Sequence, residues 1–254
     1  MGVRRLSRPL PARLATVFRQ VAPGSPVADI GTGHGRLAIA LRETGRAPLV
    51  IATESVPGPL WEAERNVREA GITGVTLRLG WGLDAVLPGE VEQICIAGMG
   101  GETIRRILER GSATAGRASR LILQPQSHPE RVREWLLANG FGLVAEDLVE
   151  ERGHFYPVTV ASPGAGWSEG NQASWPPGIT RAWVLKLGPV LLGERHPVLA
   201  RQVARLAAER RALLVRLEDA EGTRGQLSRE YLARETAELE LISEWLHRSR
   251  RFSE

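Results

Sequence analysis

Residues Val27 to Leu41 read VADIGTGHGRLAIAL. A short apolar run ends in Asp29, glycines follow at positions 31, 33 and 35, and apolar residues resume at helical spacing from Leu37. This is the pattern of a buried strand turning through a glycine loop into a helix. Glycine at alternate positions removes the Cβ atoms that would hold a ligand away from the main chain. The spacing disfavours two common ligands. A dinucleotide loop is spaced G-x-G-x-x-G, and here the third glycine comes one residue early. A Walker loop needs Lys-Ser or Lys-Thr after its last glycine, and neither follows.

Outward from this loop the chain alternates strands and helices. Apolar strands are expected around Leu49–Ala52, Val75–Leu79, Ile94–Ala97 and Arg120–Leu123, with helices over Leu10–Val21, Leu60–Ala70, Thr103–Leu108 and Glu130–Asn139. The stretch VPGP, residues 56–59, reads as a turn. That alternation predicts an α/β fold with a doubly wound parallel sheet. The last two strands, Leu143–Val149 and Phe155–Val160, are joined by so few residues that they must form an antiparallel hairpin.

Residues 1–161 are expected to form this domain, 162–193 a Gly/Pro/Trp-rich connecting segment, and 194–254 a helical unit. Trp167, Trp175 and Trp183 in the middle segment either stack on bases or pack against the sheet. In the tail, Leu199, Val203, Leu206, Leu213 and Leu217 make a heptad-like stripe in which Arg210 fills one seam position. Leu232, Leu239, Ile242 and Leu246 resume the stripe after Gly222 and Gly225. Two helices of roughly 25 and 20 residues, turned at those glycines, predict a coiled-coil-like antiparallel hairpin.

The chemistry of the cleft follows from charge. Asp29 at a strand tip repels a pyrophosphate and attracts a cation. S-adenosylmethionine has a cationic amine and a sulfonium and carries no phosphate, so it suits this loop. Glu54 follows the second strand, where a carboxylate accepts hydrogen bonds from two ribose hydroxyls. The fourth strand ends in Ala97-Gly98-Met99-Gly100-Gly101, a second bare backbone at the same sheet edge. The fifth ends in Leu123-Gln124-Pro125-Gln126, whose amides are placed to read the edge of a base.

The chain has 254 residues, 43% of them hydrophobic, with no apolar run long enough to span a membrane. Its basic start lacks the continuous apolar stretch of a secretory leader, so a cytoplasmic protein is expected. Cys95 is the lone cysteine and reads as a small buried hydrophobe. Arg4, Arg5, Arg8, Arg13 and Arg19 all precede the first acid, and Lys186 is the single lysine. An uncompensated arginine cluster suits nucleic-acid phosphates. The five histidines are scattered without ligand spacing, so no metal is expected.

Taken together these residues resemble the bacterial tRNA (adenine-22-N1)-methyltransferases. The likeness rests on Leu6-Ser7 with Arg13-Leu14, Ala28 to Thr32 with His34, Gly58-Pro59, Asn66-Val67, Arg78 with Gly80 and Gly82-Leu83, Ile96 to Gly101, and Ile122 to Pro125 with Arg133 to Leu136. The resemblance implies a Rossmann-like class I methyltransferase fold with an antiparallel last strand, followed by a C-terminal helical hairpin. It implies S-adenosylmethionine as methyl donor and tRNA as acceptor, with no obligatory protein partner evident. Asp29, Gly31, Thr32, Gly33, Glu54, Ser55, Trp81, Gly82, Ala97, Gly98 and Met99 would line the cofactor pocket. His34, Gln126 and the Gly98 carbonyl would serve the chemistry, and Arg4, Arg5, Arg8 and Arg13 the RNA.

The sequence departs from that family at Gly33 and Trp81, where aspartates are common, and at Gln126, where asparagine is. Tryptophan at 81 stacks or donates and cannot accept from an adenine amino group, so a rearranged adenine pocket or weaker cofactor binding is expected. Two other readings stay open at this point: a methyltransferase for another RNA base, and an RNA-binding protein with weakened catalysis.

Overall fold

The computed structural model describes residues 9–168, 175, 178–217 and 223–248. They divide into two units, Met1–Gly170 and Asn171–Glu254. In the first, strands β1 (Val27–Ile30), β2 (Val50–Glu54), β3 (Val75–Leu79), β4 (Gln93–Met99), β5 (Arg120–Pro125), β6 (Phe141–Glu151) and β7 (His154–Pro163) form one sheet in the order β3-β2-β1-β4-β5-β7-β6. All pairs are parallel except those of β7, which lies antiparallel between β5 and β6. The helices are α1 (Ala12–Gln20), α2 (Arg36–Glu43), α3 (Pro57–Glu69), α4 (Gly101–Arg110), α5 (Ser112–Ala115) and α6 (Pro129–Ala138).

Covered on both faces, central parallel strands read as continuous apolar runs, and all four residues of β1 are buried. The strand order reverses between β1 and β4, so the loops at their carboxyl ends open a crevice there. The β6–β7 turn is two residues, Arg152 and Gly153, with φ of 53° and 75°. Two positive φ values twist a tight hairpin in the same sense as its strands.

Two local expectations change. VPGP does not form a turn: Pro57 opens α3, because proline's fixed φ suits the first helical position and its missing N–H is not needed there. The sheet also reaches past residue 161, since β7 runs to Pro163 and Trp167 bridges to Leu143.

The segment following β5 is fixed from behind. Arg133 on α6 and Glu146 on β6 form a fully buried ion pair at 2.6 Å, and the Thr159 hydroxyl on β7 donates to the same carboxylate oxygen at 3.1 Å. Breaking one partner of such a pair strands a buried charge and costs about 3–5 kcal/mol. Trp135 stacks on Phe141 beside it, with ring centroids 6.0 Å apart. Both contacts anchor the helix that begins just after Gln126.

In the second unit, residues 181–193, expected as connector, form α7 (Arg181–Leu187) and α8 (Pro189–Gly193). Trp183 is buried there with the Lys186 ammonium over its ring. The hairpin is α9 (Pro197–Arg216) and α10 (Thr223–Arg248). Gly225 lies inside α10 and not in the turn; Gly222 falls outside the described residues.

Leu199, Val203 and Ala207 are buried on α9, and Leu239, Ile242 and Leu246 on α10. The seam passes through Ala207 instead of Leu206 because a straight helix drifts from a seven-residue repeat. Burying each larger apolar side chain is worth about 1.5–3 kcal/mol, so this end carries the packing energy. At the seam position without an apolar residue, Arg210 pairs with Glu235 at 2.8 Å, which fixes register.

Candidate active site

One rim of the crevice is built by β1 and β2. Gly31, Gly33 and Gly35 have φ of 68°, 56° and 74°, left-handed values that L side chains rarely adopt. A Cβ on Gly31 would stand 2.0 Å from the Met99 methyl, whereas one on Gly33 would meet nothing within 4 Å. The loop is thus closed by Met99 at one glycine and open at the next. The Thr32 amide donates to the Thr53 carbonyl at 2.9 Å, holding the loop against β2.

Asp29 is only 4% exposed. Its carboxylate accepts from Thr32 Oγ1 at 2.7 Å and from the Ala38 amide. Burial, incompletely offset by these bonds and reinforced by the nearby Glu54 charge, pushes its pKa up to about 6. Asp29 therefore acts from beneath the loop, as a buried charge that shapes it, and its bonds are already made.

Glu54 is held ready in another way. One of its oxygens accepts from the Ser55 amide at 2.8 Å, more weakly from the Ser55 hydroxyl and the Val56 amide; the other accepts from the Gly33 amide at 3.1 Å. The carboxylate thus ties the β1 and β2 loops together and remains half-buried. Thr53 Oγ1 donates to the Gly82 carbonyl at 3.2 Å, fixing the loop after β3.

The other rim is built by β4 and β5. Gly98 has φ of 80°, and its amide donates to Gln124 Oε1 at 3.1 Å. Gln124 is fully buried and also donates from Nε2 to the Pro125 carbonyl. The two amides flanking Pro125 thus differ: Gln124 locks the two loops, and Gln126 is the exposed one. The Gln126 backbone N–H donates to the Met99 carbonyl at 2.8 Å, and Gly101 N–H donates to the Ser127 carbonyl at 2.7 Å.

Arg13 joins this rim. A Cβ at Gly98 would lie 3.2 Å from Arg13 Nη1 and 3.9 Å from Gln126 Nε2, so Arg13, Gly98 and Gln126 meet in one place. The sequence gives no local sign of this, because 85 residues separate Arg13 from Gly98. Arg4, Arg5 and Arg8 lie outside the described residues.

His34 and Trp81 each make a further contact to a helix. His34 Nδ1 contacts Glu62 at 2.6 Å and its carbonyl accepts from Asn66, both on α3. The helix α3 packs on β2 and β3, the flank of β1 opposite β4. The histidine lines a cavity of about 720 Å³ between α2 and α3. These contacts tie the glycine loop to α3. Trp81 lies beneath the Arg110 guanidinium, 5.4 Å from the ring centroid, and Arg110 pairs with Asp84 at 2.7 Å. One face of the indole is covered by a cation on α4.

The arrangement fits S-adenosylmethionine. Glu54, Gly33 and Gly98 lie at the ends of three adjacent strands and bring together a carboxylate, an open glycine and a second bare backbone. Ser55 and Ala97 flank those positions, and the buried Asp29 gives the floor the sign a cation requires.

A family model described as a methyltransferase domain matches residues 10–159. The chain is 36% identical over 190 residues, 74% of this chain and 77% of the relative, to the tRNA (adenine(22)-N(1))-methyltransferase of Bacillus subtilis. Its fold superposes on the crystal structure of the B. subtilis m1A22 tRNA methyltransferase TrmK with a TM-score of 0.80 at 31% identity, covering 92% of this chain and 99% of that one. It also matches a Streptococcus pneumoniae protein proposed to be a tRNA (m1A22) methyltransferase and solved in complex with S-adenosyl-L-methionine, with TM-score 0.74, 34% identity and coverage of 92% and 98%. With the glycine crevice, the strand order and these matches in hand, the chain belongs to the tRNA (adenine-22-N1)-methyltransferase family.

Proposed function

We infer that this protein transfers a methyl group from S-adenosylmethionine to N1 of an adenine in tRNA, at position 22, in the cytoplasm. The observation that carries the reading is the crevice between β1 and β4, where bare glycine loops, a ribose-position carboxylate and a buried anion occur together. When bound, S-adenosylmethionine supplies an electrophilic methyl on a positively charged sulfur.

The chain's own task is alignment. Adenine N1 has an in-plane lone pair, so no covalent intermediate with the protein is needed, and the rate comes from holding the reactants in line in a dry site. Bonding at N1 makes the ring cationic until N6 loses a proton. The exposed Gln126 side chain and the Gly98 carbonyl are the groups assigned to accept from N6 as that charge grows. The target base must leave its stack to reach them, at a cost of about a few kcal/mol. The arginine-rich start and the helical hairpin are assigned to RNA binding that offsets it.

The test is methyl transfer with position mapping. Unmodified tRNA transcripts are incubated with the purified protein and labelled S-adenosylmethionine, and the product nucleoside is identified and located. N1-methyladenosine at position 22 is expected. A methyl group on another base, or on protein, would overturn the assignment.

A further inference from the structure

We propose that Arg78 is a positioning residue for methyl transfer: paired with Glu90, it clamps the loop after β3 in the conformation that supports Glu54. The proposal rests on the cofactor reading above and extends it to a residue that acts on the cofactor through Glu54.

β3 is an edge strand, so the loop that leaves it, residues 80–92, has a neighbouring strand on one side only, β2. On that side the loop supports the end of β2 directly. The Gly80 N–H donates to the Glu54 carbonyl at 2.9 Å, and the Gly82 carbonyl accepts from Thr53 Oγ1 at 3.2 Å. Both glycines are closely fitted. A Cβ on Gly80 would stand 2.7 Å from Ala85 Cβ, and one on Gly82 would stand 3.0 Å from the Ile107 side chain. Ala85 therefore presses on the residue that bonds the Glu54 backbone.

Arg78 holds Ala85 from the other side. The register sets Arg78 beside Thr53, so the two side chains stand on the same face of the sheet. Arg78 Nη1 donates to the Ala85 carbonyl and to Glu90 Oε2, each at 2.8 Å, and Nη2 donates to Glu90 Oε1. Glu90 Oε2 also accepts from the Leu87 N–H at 3.0 Å. One guanidinium thus closes residues 85–90 against β3, and its two parallel bonds fix angle as well as distance. The hydrogen bonds from Arg78 hold the Glu90 carboxyl down at about 2, so the pair stays charged at neutral pH.

The exposure of the pair makes its effect local. Its side chains are 31% and 25% exposed, and an ion pair so wetted adds little to global stability. The loop's packing against the core comes from the buried Leu83 and Val86 and from Thr114 Oγ1, which donates to the Val86 carbonyl at 3.1 Å. What Arg78 adds is the placement of Ala85, and through Gly80 the placement of Glu54.

The test is a double-mutant cycle on the full chain, read by calorimetric titration with S-adenosylmethionine and by methyl transfer to unmodified tRNA transcripts. Arg78→Met keeps the stem and removes the guanidinium. It should weaken cofactor binding about tenfold and raise the cofactor KM to match, with kcat lowered no more than about twofold. Arg78→Lys keeps the charge and loses the fork, and should recover only part of that affinity. On a Glu54→Gln background, Arg78→Met should cost less than about threefold, because the group it positions is already impaired. Equal losses on the two backgrounds, or unchanged cofactor affinity in Arg78→Met, would overturn the proposal and leave the pair a structural tie. A fall in kcat without a change in KM would overturn it as well. Thermal melting checks folding, and if Arg78→Met does not fold, Glu90→Gln opens the same pair from its other end and carries the cycle. If wild type binds no S-adenosylmethionine, the cofactor reading itself has failed, a result distinct from the others.

Discussion

The two rims of the crevice are made differently. On the β1/β2 rim nearly every polar side chain is already engaged: Asp29 with Thr32, Glu54 with the Gly33 and Ser55 amides, His34 with Glu62. On the β4/β5 rim the buried Gln124 locks the loops, while Gln126 is exposed and its side chain meets that of Arg13 beside Gly98. A rim whose bonds are satisfied in advance suits an invariant ligand that must be bound in one pose. A rim with open donors and acceptors suits groups that arrive with the ligand or the base. The contrast teaches that preorganisation here lies in backbone and buried amides, and recognition in the few side chains left open.

The largest effect should come from disturbing the lock between β4 and β5. A Cβ on Gly101 would sit 2.2 Å from the His128 carbonyl and 2.6 Å from that of Ser127, backbone atoms that cannot step aside alone. Gly101→Ala should cost about 3 kcal/mol or more of stability and abolish methyl transfer. Denaturant unfolding alongside the transfer assay measures both, and a variant of wild-type stability would show that this rim is not rigid.

Next comes Glu54→Gln, which keeps an oxygen for the Gly33 amide and removes the charge offered to a ribose. Cofactor affinity should fall about tenfold to a hundredfold, while tRNA affinity stays the same. A calorimetric titration decides it, and an unaltered cofactor Kd would remove Glu54 from the site.

Asp29 should give a pH signature. Its pKa is raised to about 6 in the fold, so the folded chain binds more protons than the unfolded chain between about pH 4 and 6, and stability falls as pH rises through that window. A cationic cofactor favours the ionised form, so its affinity should rise up to about tenfold per pH unit below 6 and level off above. Asp29→Asn should be more stable at neutral pH and bind the cofactor without this dependence. A variant that keeps the pH profile of wild type would assign the titration to another group.

How much of this was legible depends on whether the cause is local. The strand, glycine turn and helix around Asp29 follow from nearest-neighbour spacing, and so do the hairpin of β6 and β7 and, in the seam, Leu199, Val203, Leu239, Ile242 and Leu246, whereas Leu213 is exposed. VPGP misled because proline marks a turn and a helix start equally well. Leu206 gave way to Ala207 because a seven-residue template ignores the drift of a straight helix. What sequence spacing could not convey were contacts set by tertiary placement. His34 meets Glu62 across 28 residues, and Asp29 spends its lone pairs on Thr32 and Ala38. Gln124 and Gln126 look equivalent in the sequence, yet one is fully buried and the other exposed. Arg13 reads as one more arginine of a basic arm until α1 is laid against Gly98.

The smallest effect should be the most discriminating. Gln126 is the exposed amide of the open rim, and its removal leaves the β1/β2 rim and the Gln124 lock intact. If its oxygen accepts from adenine N6 as the ring becomes cationic, the interaction strengthens only as methyl transfer proceeds. Gln126→Ala should then lower kcat about three- to tenfold, with cofactor Kd unchanged and little change in the KM for tRNA. Gln126→Glu, which offers a stronger acceptor, should restore more of the rate than Gln126→Met, which matches its length without an oxygen. Single-turnover rates with saturating tRNA separate the chemical step from product release. Equal rates for the glutamate and methionine variants would mean that Gln126 fills space beside the base, and the acceptor role would pass to the Gly98 carbonyl alone.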